Sequence, residues 1–214
     1  MGSGKSTVAR EVARRLGFRY VDTGAMYRAV AAAALRRGIN VGDVDGLFRL
    51  ARAVTMDFEP PAGESGRVLV AGDDMTASLR SLDVNRVVAQ VAKVPQVREA
   101  LGAIQRRLGE SGHVVMEGRD IASVILPRAR IKVFLTASID VRACRRQAEL
   151  AAGGTAMAVD DVRRIIEGDD RMASTRETAP LVVAPGAVII DSTELTVDEV
   201  VDQIVTLVER ARGV

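Results

Sequence analysis

The 214-residue sequence predicts an α/β fold in which a parallel β-sheet is covered by helices on both faces. Runs rich in Val, Ile and Leu at 113–117, 131–135 and 188–190 are typical of strands buried on both faces. Amphipathic helical segments alternate with these runs, which is the pattern of parallel βαβ units. A hydrophobic content of 48% with only 3% aromatic residues supplies an aliphatic core for a single domain.

Hydrophobic periodicity and flanking turn residues place the elements along the chain. The predicted helices span 5–16, 25–37, 44–54, 82–92, 96–108, 139–150, 160–172 and 197–212. The predicted strands span 18–21, 113–117, 131–135 and 188–190. We expect the first strand of the sheet to be missing from this chain, since it would precede Met1 and bring the sheet to five strands.

Two segments depart from this alternation. Residues 54–58 and 67–71 predict a small antiparallel pair, joined through Pro60, Pro61 and Gly63. Residues 151–154, rich in Ala and Gly, lead into a charged helix and predict a mobile flap. We therefore expect one domain over 1–214, with an insertion at about 38–95 and a lid at about 150–176.

Composition and charge exclude several classes of protein. The formal net charge of +2 does not indicate a nucleic-acid binder. A single cysteine, Cys144, excludes a disulfide framework. Neither a signal peptide nor a transmembrane stretch of about 18 apolar residues is present in the sequence. We expect a cytoplasmic monomer that has no nucleic-acid or membrane partner.

The chain begins inside the second half of a phosphate-binding loop, Gly-Ser-Gly-Lys-Ser-Thr at 2–7. Small residues let backbone N–H groups close around phosphate oxygens, and the following helix directs its positive N-terminal end at the same anion. Lys5 is expected at the β- and γ-phosphates, and the Ser6 hydroxyl is expected to bind Mg²⁺. The residues expected to bind the nucleotide are Gly2, Ser3, Gly4, Lys5, Ser6 and Thr7.

Further arginine-bearing motifs follow the predicted strands. Asp-Thr-Gly-Ala-Met-Tyr-Arg spans 22–28, and Gly-Arg-Asp spans 118–120. Ligands of open α/β sheets bind beyond the carboxyl ends of the strands, so arginines placed there can neutralise a transferring phosphoryl group. Taken alone, Asp-Thr-Gly at 22–24 is better explained as a helix cap.

One predicted helix carries Arg142, Arg145 and Arg146 at i, i+3 and i+4, which gives a single positive face. The planar guanidinium groups of arginine bind phosphates and carboxylates bidentately. Taken alone, this face is explained equally well as a solvated surface.

Together these motifs closely resemble the bacterial cytidylate kinases, which are nucleoside monophosphate kinases that phosphorylate CMP and dCMP with ATP. The resemblance runs from Met1 to the last helix and implies a three-layer P-loop kinase fold with a nucleoside-monophosphate-binding insertion and a lid. The matching segments are 2–7, 22–28, Val-Arg-Glu at 97–99, 118–120, Ser-Thr-Arg at 174–176 with Ala-Pro-Leu at 179–181, and Asp-Ser-Thr at 191–193.

The resemblance also implies roles for individual residues. Arg28, Arg119 and Arg176 would hold the CMP phosphate, while Arg98 and Asp120 would hydrogen-bond cytosine and disfavour uracil. The residues implied to bind substrate are Thr23, Arg28, Arg98, Arg119, Asp120 and Arg176. The flap arginines, implied to close over ATP and exclude water, are Arg142, Arg145, Arg146 and Arg171. The implied catalytic group is Lys5, Arg142, Arg146 and Arg171.

The chain departs from the family pattern at three further positions. Asp169 and Ala173 stand where the family usually has the arginine and aspartate that touch the ribose, and Ala89 replaces a serine near cytosine. Losing a few hydrogen bonds worth roughly 1 kcal/mol each predicts weaker CMP binding with phosphoryl transfer retained.

Three alternative functions remain open from the sequence. They are a small-metabolite kinase of the shikimate or gluconate type, a nucleotide-binding switch, and a paralogue that binds nucleotide with impaired catalysis. The insertion and the Arg98/Asp120 pair argue against the first alternative. The second is disfavoured because no Asn-Lys-x-Asp guanine motif occurs.

Overall fold

The structure is a computed structural model that describes residues 2–57, 66–174 and 182–213, of which 172–174 are described by their backbone alone. The predicted substrate residue Arg176 and the connection through Pro60 and Gly63 lie outside the described residues. The chain divides into two units, one of Ala13–Gly118 and the other of Met1–Val12 with Arg119–Val214.

The unit Ala13–Gly118 contains a parallel strand pair and an antiparallel ribbon. Strand β1 (Arg19–Asp22) pairs in parallel with β5 (Val114–Glu117), with Asp22 opposite Glu117 at the carboxyl ends. Strands β2 (Val54–Asp57) and β3 (Arg67–Val70) pair antiparallel, which confirms the antiparallel pair predicted from the sequence. Its helices are α2 (Thr23–Arg36), α3 (Val44–Arg52), α4 (Leu82–Val91) and α5 (Pro95–Glu110), with a 3₁₀ turn at Thr76–Ser78. Its strands are β1 (Arg19–Asp22), β2 (Val54–Asp57), β3 (Arg67–Val70), β4 (Asp73–Asp74) and β5 (Val114–Glu117).

The core of this unit forms around α2. Residues 29–34 of α2 are alanines and one valine, and all of them are buried. Small side chains on every face allow neighbouring elements to approach closely, and α3, α4 and β3 all contact α2. Leu47 of α3 and Leu101 of α5 complete the same core cluster.

The second unit opens with helix α1 (Lys5–Leu16), whose C-terminal end belongs to the first unit. Strand β6 (Val133–Thr136) pairs in parallel with β7 (Val188–Asp191), with Thr136 opposite Asp191 at the carboxyl ends. Its other elements are a π-helix (Ile121–Ile125), β6 (Val133–Thr136), α6 (Ile139–Ala152), α7 (Val159–Ser174), β7 (Val188–Asp191) and α8 (Val197–Arg212). Ala143 of α6 packs against Val162 and Ile166 of α7, so the segment predicted as a flap includes a helix with its own packed core.

The mixed helix and parallel-strand architecture confirms the predicted α/β fold class, and the four predicted strands are hydrogen-bonded as two parallel pairs. Helices α1 and α8 begin and end where the sequence predicts. Helix α2 begins at Thr23, two residues earlier than predicted, because the Asp22 side chain accepts the Ala25 N–H as an N-cap. None of the helices in the described ranges has the length and apolarity needed to cross a membrane.

Truncating Leu101 should destabilise the unit Ala13–Gly118, whose core forms around α2. This side chain is fully buried, so Leu101→Ala should lower the free energy of unfolding by about 2–5 kcal/mol. The matched control Leu82→Ala removes a side chain that is 70% exposed, and it should cost less than about 0.5 kcal/mol. Urea denaturation followed by circular dichroism measures both, and equal losses would contradict the packing described here.

Candidate functional site

The glycine loop at the start of α1 has the backbone of an anion-binding turn. Gly2 and Gly4 have φ angles of +74° and +82°, in the left-handed region that favours glycine. The Val8 N–H donates to the Gly4 carbonyl at 2.9 Å, so the regular hydrogen bonding of the helix starts there. The N–H groups in the first turn of a helix have no carbonyl within that helix to bind, so such a turn is suited to binding an anion. The side chains of Ser6 and Thr7 are exposed at this turn.

Gly2 also packs directly against helix α6. A Cβ atom built at Gly2 would overlap the carbonyl oxygen of Arg142 in the first turn of that helix. Glycine is therefore required at this position for two reasons, the positive φ and the close approach of another backbone. The absence of a side chain at Gly2 allows the backbone of the loop to lie directly against α6.

The arginines of the predicted positive face on α6 have three different sets of partners. Arg142 donates to the Asp170 carboxylate at 2.5 Å and to the Ala137 carbonyl at 3.1 Å, and its side chain is only 17% exposed. Arg145 donates to Ser192.

Arg146 forms a surface ion pair with Glu149 at 2.8 Å, one turn along the helix. Exposed pairs of this kind contribute little to stability, so the Arg146 guanidinium can be redirected to a ligand at low cost. Arg171 is an exposed residue near the end of α7.

A tight turn follows β7 at 191–193. The Thr193 hydroxyl and the Thr193 backbone N–H both donate to the Asp191 carboxylate, and these bonds hold the pKa of Asp191 below its usual range. The Thr193 hydroxyl oxygen also accepts the N–H of Ser138, the N-cap residue of α6. This turn therefore connects the end of β7 to the start of α6.

In the unit Ala13–Gly118, Thr23 and Arg28 lie in the first turns of α2. Thr23 is buried, and its hydroxyl donates to the Glu117 carbonyl at 2.7 Å, which ties the start of α2 to the end of β5. Arg28 reaches back over the first turn, since a Cβ at Gly24 would lie 2.9 Å from its Nη1 atom. The Arg28 guanidinium is thereby placed close to the carboxyl end of the β1–β5 pair.

Arg98 is held near the start of α5 in the same unit. Its Nη1 atom donates to the Ala92 carbonyl at 3.3 Å, and its Cζ atom lies 5.8 Å from the centroid of the Tyr27 ring. A guanidinium over an aromatic ring is attracted by the ring's negative face. Tyr27 therefore helps to orient Arg98.

Arg119 and Asp120 follow β5 and belong to the second unit. Arg119 is exposed, whereas Asp120 is buried. The Asp120 carbonyl accepts the N–H groups of Val124 at 2.9 Å and Ile125 at 3.2 Å. The bond from Ile125 spans five residues, which is the hydrogen-bond spacing of a π-helix, and it marks the start of the π-helix at Ile121–Ile125. Such one-turn π-segments often accompany functional residues.

A positive-φ glycine loop followed by Lys-Ser-Thr at a helix N-terminus, in an architecture with parallel strands, defines a nucleotide-binding protein of the P-loop kinase class. A profile of the family described as cytidylate kinase matches residues 1–210. The chain therefore belongs to the cytidylate kinase family.

Individual relatives agree with this membership. The chain is 47% identical over 211 residues to a cytidylate kinase of Pelotomaculum thermopropionicum, covering 99% of this chain and 93% of that protein. It is 46% identical over 212 residues to a cytidylate kinase of Geobacillus kaustophilus, covering 99% and 94%. It is also 46% identical over 208 residues to a bifunctional pantoate ligase/cytidylate kinase of a Synechococcus species, covering 96% of this chain and 38% of that protein.

Sequence reasoning did not single out three partner residues. In the sequence, Tyr27 belongs to the segment 22–28 and Asp170 to the predicted helix 160–172, and neither stands out within it. Ser192 lies inside the Asp-Ser-Thr segment, whose match to the family was the one available signal. Their contacts with Arg98, Arg142 and Arg145 arise from tertiary packing, which local periodicity does not encode.

Replacing Gly2, which precedes α1, should impair nucleotide binding more than replacing Gly17, which follows it. Gly2→Ala adds both a positive-φ strain and an overlap with Arg142, so ATP affinity should fall at least about tenfold. The control Gly17→Ala has a similar φ of +66° and open space around its Cβ. It should cost roughly 1–2 kcal/mol of stability and leave ATP affinity unchanged. Titration calorimetry measures both affinities, and an unaltered Gly2→Ala variant would contradict the loop geometry.

Proposed function

We propose that this chain binds MgATP at residues 2–7 and transfers the γ-phosphoryl group to CMP or dCMP, which forms ADP and CDP or dCDP. As a member of the cytidylate kinase family, the chain is a nucleoside monophosphate kinase that phosphorylates these two nucleotides. The observation that carries the detailed proposal is the glycine loop at the N-terminus of α1, with its two positive-φ glycines.

Lys5 and Ser6 supply the donor side of the proposed site. Lys5 opens the first turn of α1, where its ammonium would pair with the β- and γ-phosphates. No group of three or more His, Cys, Asp or Glu side chains among the described residues could hold a metal ion. The exposed Ser6 hydroxyl nevertheless fits Mg²⁺, which keeps several waters and is bound largely through substrate phosphates. When bound, Mg²⁺ neutralises charge on the transferring group.

The acceptor side is proposed to use arginines for phosphate and a carboxylate for the base. Arg28, Arg119 and Arg176 would bind the CMP phosphate, as the family resemblance implies, with Thr23 at the start of α2. Support for Arg28 comes from its position over the first turn of α2, beyond the carboxyl end of β1.

Arg98 and Asp120 are proposed to recognise cytosine. An ionised carboxylate accepts the 4-amino group of cytosine, whereas uracil presents a carbonyl oxygen there and would meet the carboxylate with a lone pair. A buried carboxylate leaves such a mismatch uncompensated by water, which is the physical basis for rejecting UMP. The orientation of Arg98 by Tyr27 and Ala92 supports a fixed donor for the base.

Arg142, Arg146 and Arg171 are proposed to stabilise charge on the transferring phosphoryl group and to exclude water. The ion pair with Asp170 pre-orients Arg142, while the Arg146–Glu149 pair is exposed and readily exchanged. We assign these residues to a lid at about 150–176 with the adjoining helix α6, and CMP binding to an insertion at about 38–95.

The proposed chemistry needs no protein nucleophile. The CMP phosphate oxygen attacks the γ-phosphorus of ATP in line, the bond to the bridging oxygen breaks, and ADP leaves with that oxygen. The protein contributes by aligning the two nucleotides and by surrounding the transferred group with positive charge. A monomer is sufficient for this reaction.

Removing the Lys5 ammonium should abolish most turnover and leave CMP binding intact. Lys5→Ala should lower kcat by about 100-fold or more, because it deletes a positive charge at the transferring phosphoryl group. The matched control Lys93→Ala removes an exposed lysine and should keep normal turnover. A coupled ADP assay and CMP titration measure the two effects. Near-normal turnover of Lys5→Ala would contradict the assignment of residues 2–7 as the ATP-binding loop.

Neutralising Asp120 should relax the choice of base. Asp120→Asn keeps the size of the side chain and removes the charge, so the ratio of kcat/KM for CMP to that for UMP should fall about tenfold. Asp161→Asn, which neutralises a surface carboxylate paired with Arg164, is the control and should leave the ratio unchanged. An unchanged ratio for Asp120→Asn would remove Asp120 from base recognition.

A further inference from the structure

Ser192 lies at the junction of four segments of the second unit. It is only 3% exposed, and its backbone N–H donates to the Thr136 carbonyl at the end of β6. Its hydroxyl oxygen lies 3.0 Å from the same carbonyl and 3.5 Å from the carbonyl of Ser3 in the glycine loop. The hydroxyl is therefore within hydrogen-bonding distance of both carbonyls, and the Thr136 carbonyl is the nearer acceptor.

Arg145 holds this residue from the other side. Its Nη1 atom donates to the Ser192 hydroxyl oxygen at 3.0 Å, and its Nη2 atom donates to the Ser192 carbonyl at 2.8 Å. Both terminal nitrogens of the guanidinium are thus directed at one residue. Because Arg145 donates to the hydroxyl oxygen, the hydroxyl proton must point away from Arg145, towards the carbonyls of Ser3 and Thr136.

The glycine loop has a second contact with the same helix. Gly2 packs on the carbonyl of Arg142, three residues before Arg145 on α6, and Ser3 is buried. Two consecutive residues of the loop are therefore fixed by α6, one directly and one through Ser192. Neither contact involves the residues from Lys5 to Thr7, whose groups are proposed to meet the phosphates.

We propose that Arg145 and Ser192 form a brace that fixes the glycine loop through the Ser3 carbonyl, so that both are positioning residues for ATP. This inference rests on the proposed function for its kinetic readout. It separates Arg145 from its neighbours Arg142 and Arg146, since Arg145 acts through Ser192 and does not contact the transferring phosphoryl group. The resemblance to the family had grouped all three as arginines that close over ATP.

The test compares Arg145→Ala, Ser192→Ala, the double variant and Arg145→Lys. Each single alanine variant should raise KM for ATP about tenfold and change KM for CMP less than about twofold, because one charge-assisted brace is lost. The double variant should be no worse than the more impaired single variant, since the two side chains act as one unit. Arg145→Lys keeps the charge but lacks the planar fork, so it should retain most of the defect.

Amide hydrogen exchange and a control variant distinguish a positioning role from loss of the fold. Amide hydrogen exchange at residues 3–7 should speed up in both alanine variants while exchange in α8 stays unchanged. Arg128→Ala removes an exposed guanidinium that precedes β6 and serves as the control with wild-type kinetics and exchange. Should Arg145→Ala fail to fold, Arg145→Lys and Ser192→Ala carry the same comparison.

The brace is overturned if Arg145→Ala lowers kcat at saturating ATP while Ser192→Ala has wild-type kinetics, or if the two effects are additive. Rescue by Arg145→Lys would also overturn it, because charge alone would then suffice. A wild-type protein that makes no CDP would contradict the proposed function instead. In that case calorimetric titration with MgATP would still test the brace, because each alanine variant should bind MgATP about tenfold more weakly than the wild type.

Discussion

The proposed ATP site depends on fixing the position of a short loop of left-handed backbone at the N-terminus of α1. Backbone N–H groups bind a polyphosphate only if they converge, and convergence requires φ angles that glycine alone adopts without strain. Gly2 and Gly4 supply those angles, while the helix that begins at Lys5 supplies aligned dipoles. Such a loop has no side chains of its own for anchoring at the glycines, so its position must be set by neighbours. The carbonyl of Arg142 and the Ser192 hydroxyl are those neighbours.

A protein that binds polyanionic nucleotides also benefits from arginine side chains that are already oriented before the substrate binds. Free arginine side chains lose conformational entropy on binding, and contacts that pre-orient them reduce this cost. Arg98 lies over Tyr27, and Arg142 pairs with Asp170. Arg146 forms a surface pair with Glu149. Arg98 and Arg142 are therefore pre-oriented by their partners, whereas the Arg146 pair is exposed and readily exchanged.

The sequence predicted the helices best and the tertiary contacts least. Helices α1 and α8 have clear apolar periodicity with a terminal glycine, at Gly17 and Gly213, and their bounds are as predicted. The π-helix at Ile121–Ile125 was not foreseen, since a short apolar run has no period that distinguishes it from a strand. The glycine loop was readable because its motif is contiguous. The bonds from Arg145 to Ser192 join residues 47 positions apart, and no local pattern encodes such a pair.

Phosphorus NMR of the reaction itself tests the central claim most directly. The protein, in catalytic amount, is mixed with equimolar MgATP and CMP, and the phosphorus signals are followed with time. A (d)CMP kinase converts the γ-phosphorus of ATP into the β-phosphorus of CDP, with ADP appearing in equal amount and little inorganic phosphate. Release of inorganic phosphate with CMP unchanged, or no consumption of ATP in the presence of CMP or dCMP, would contradict the account.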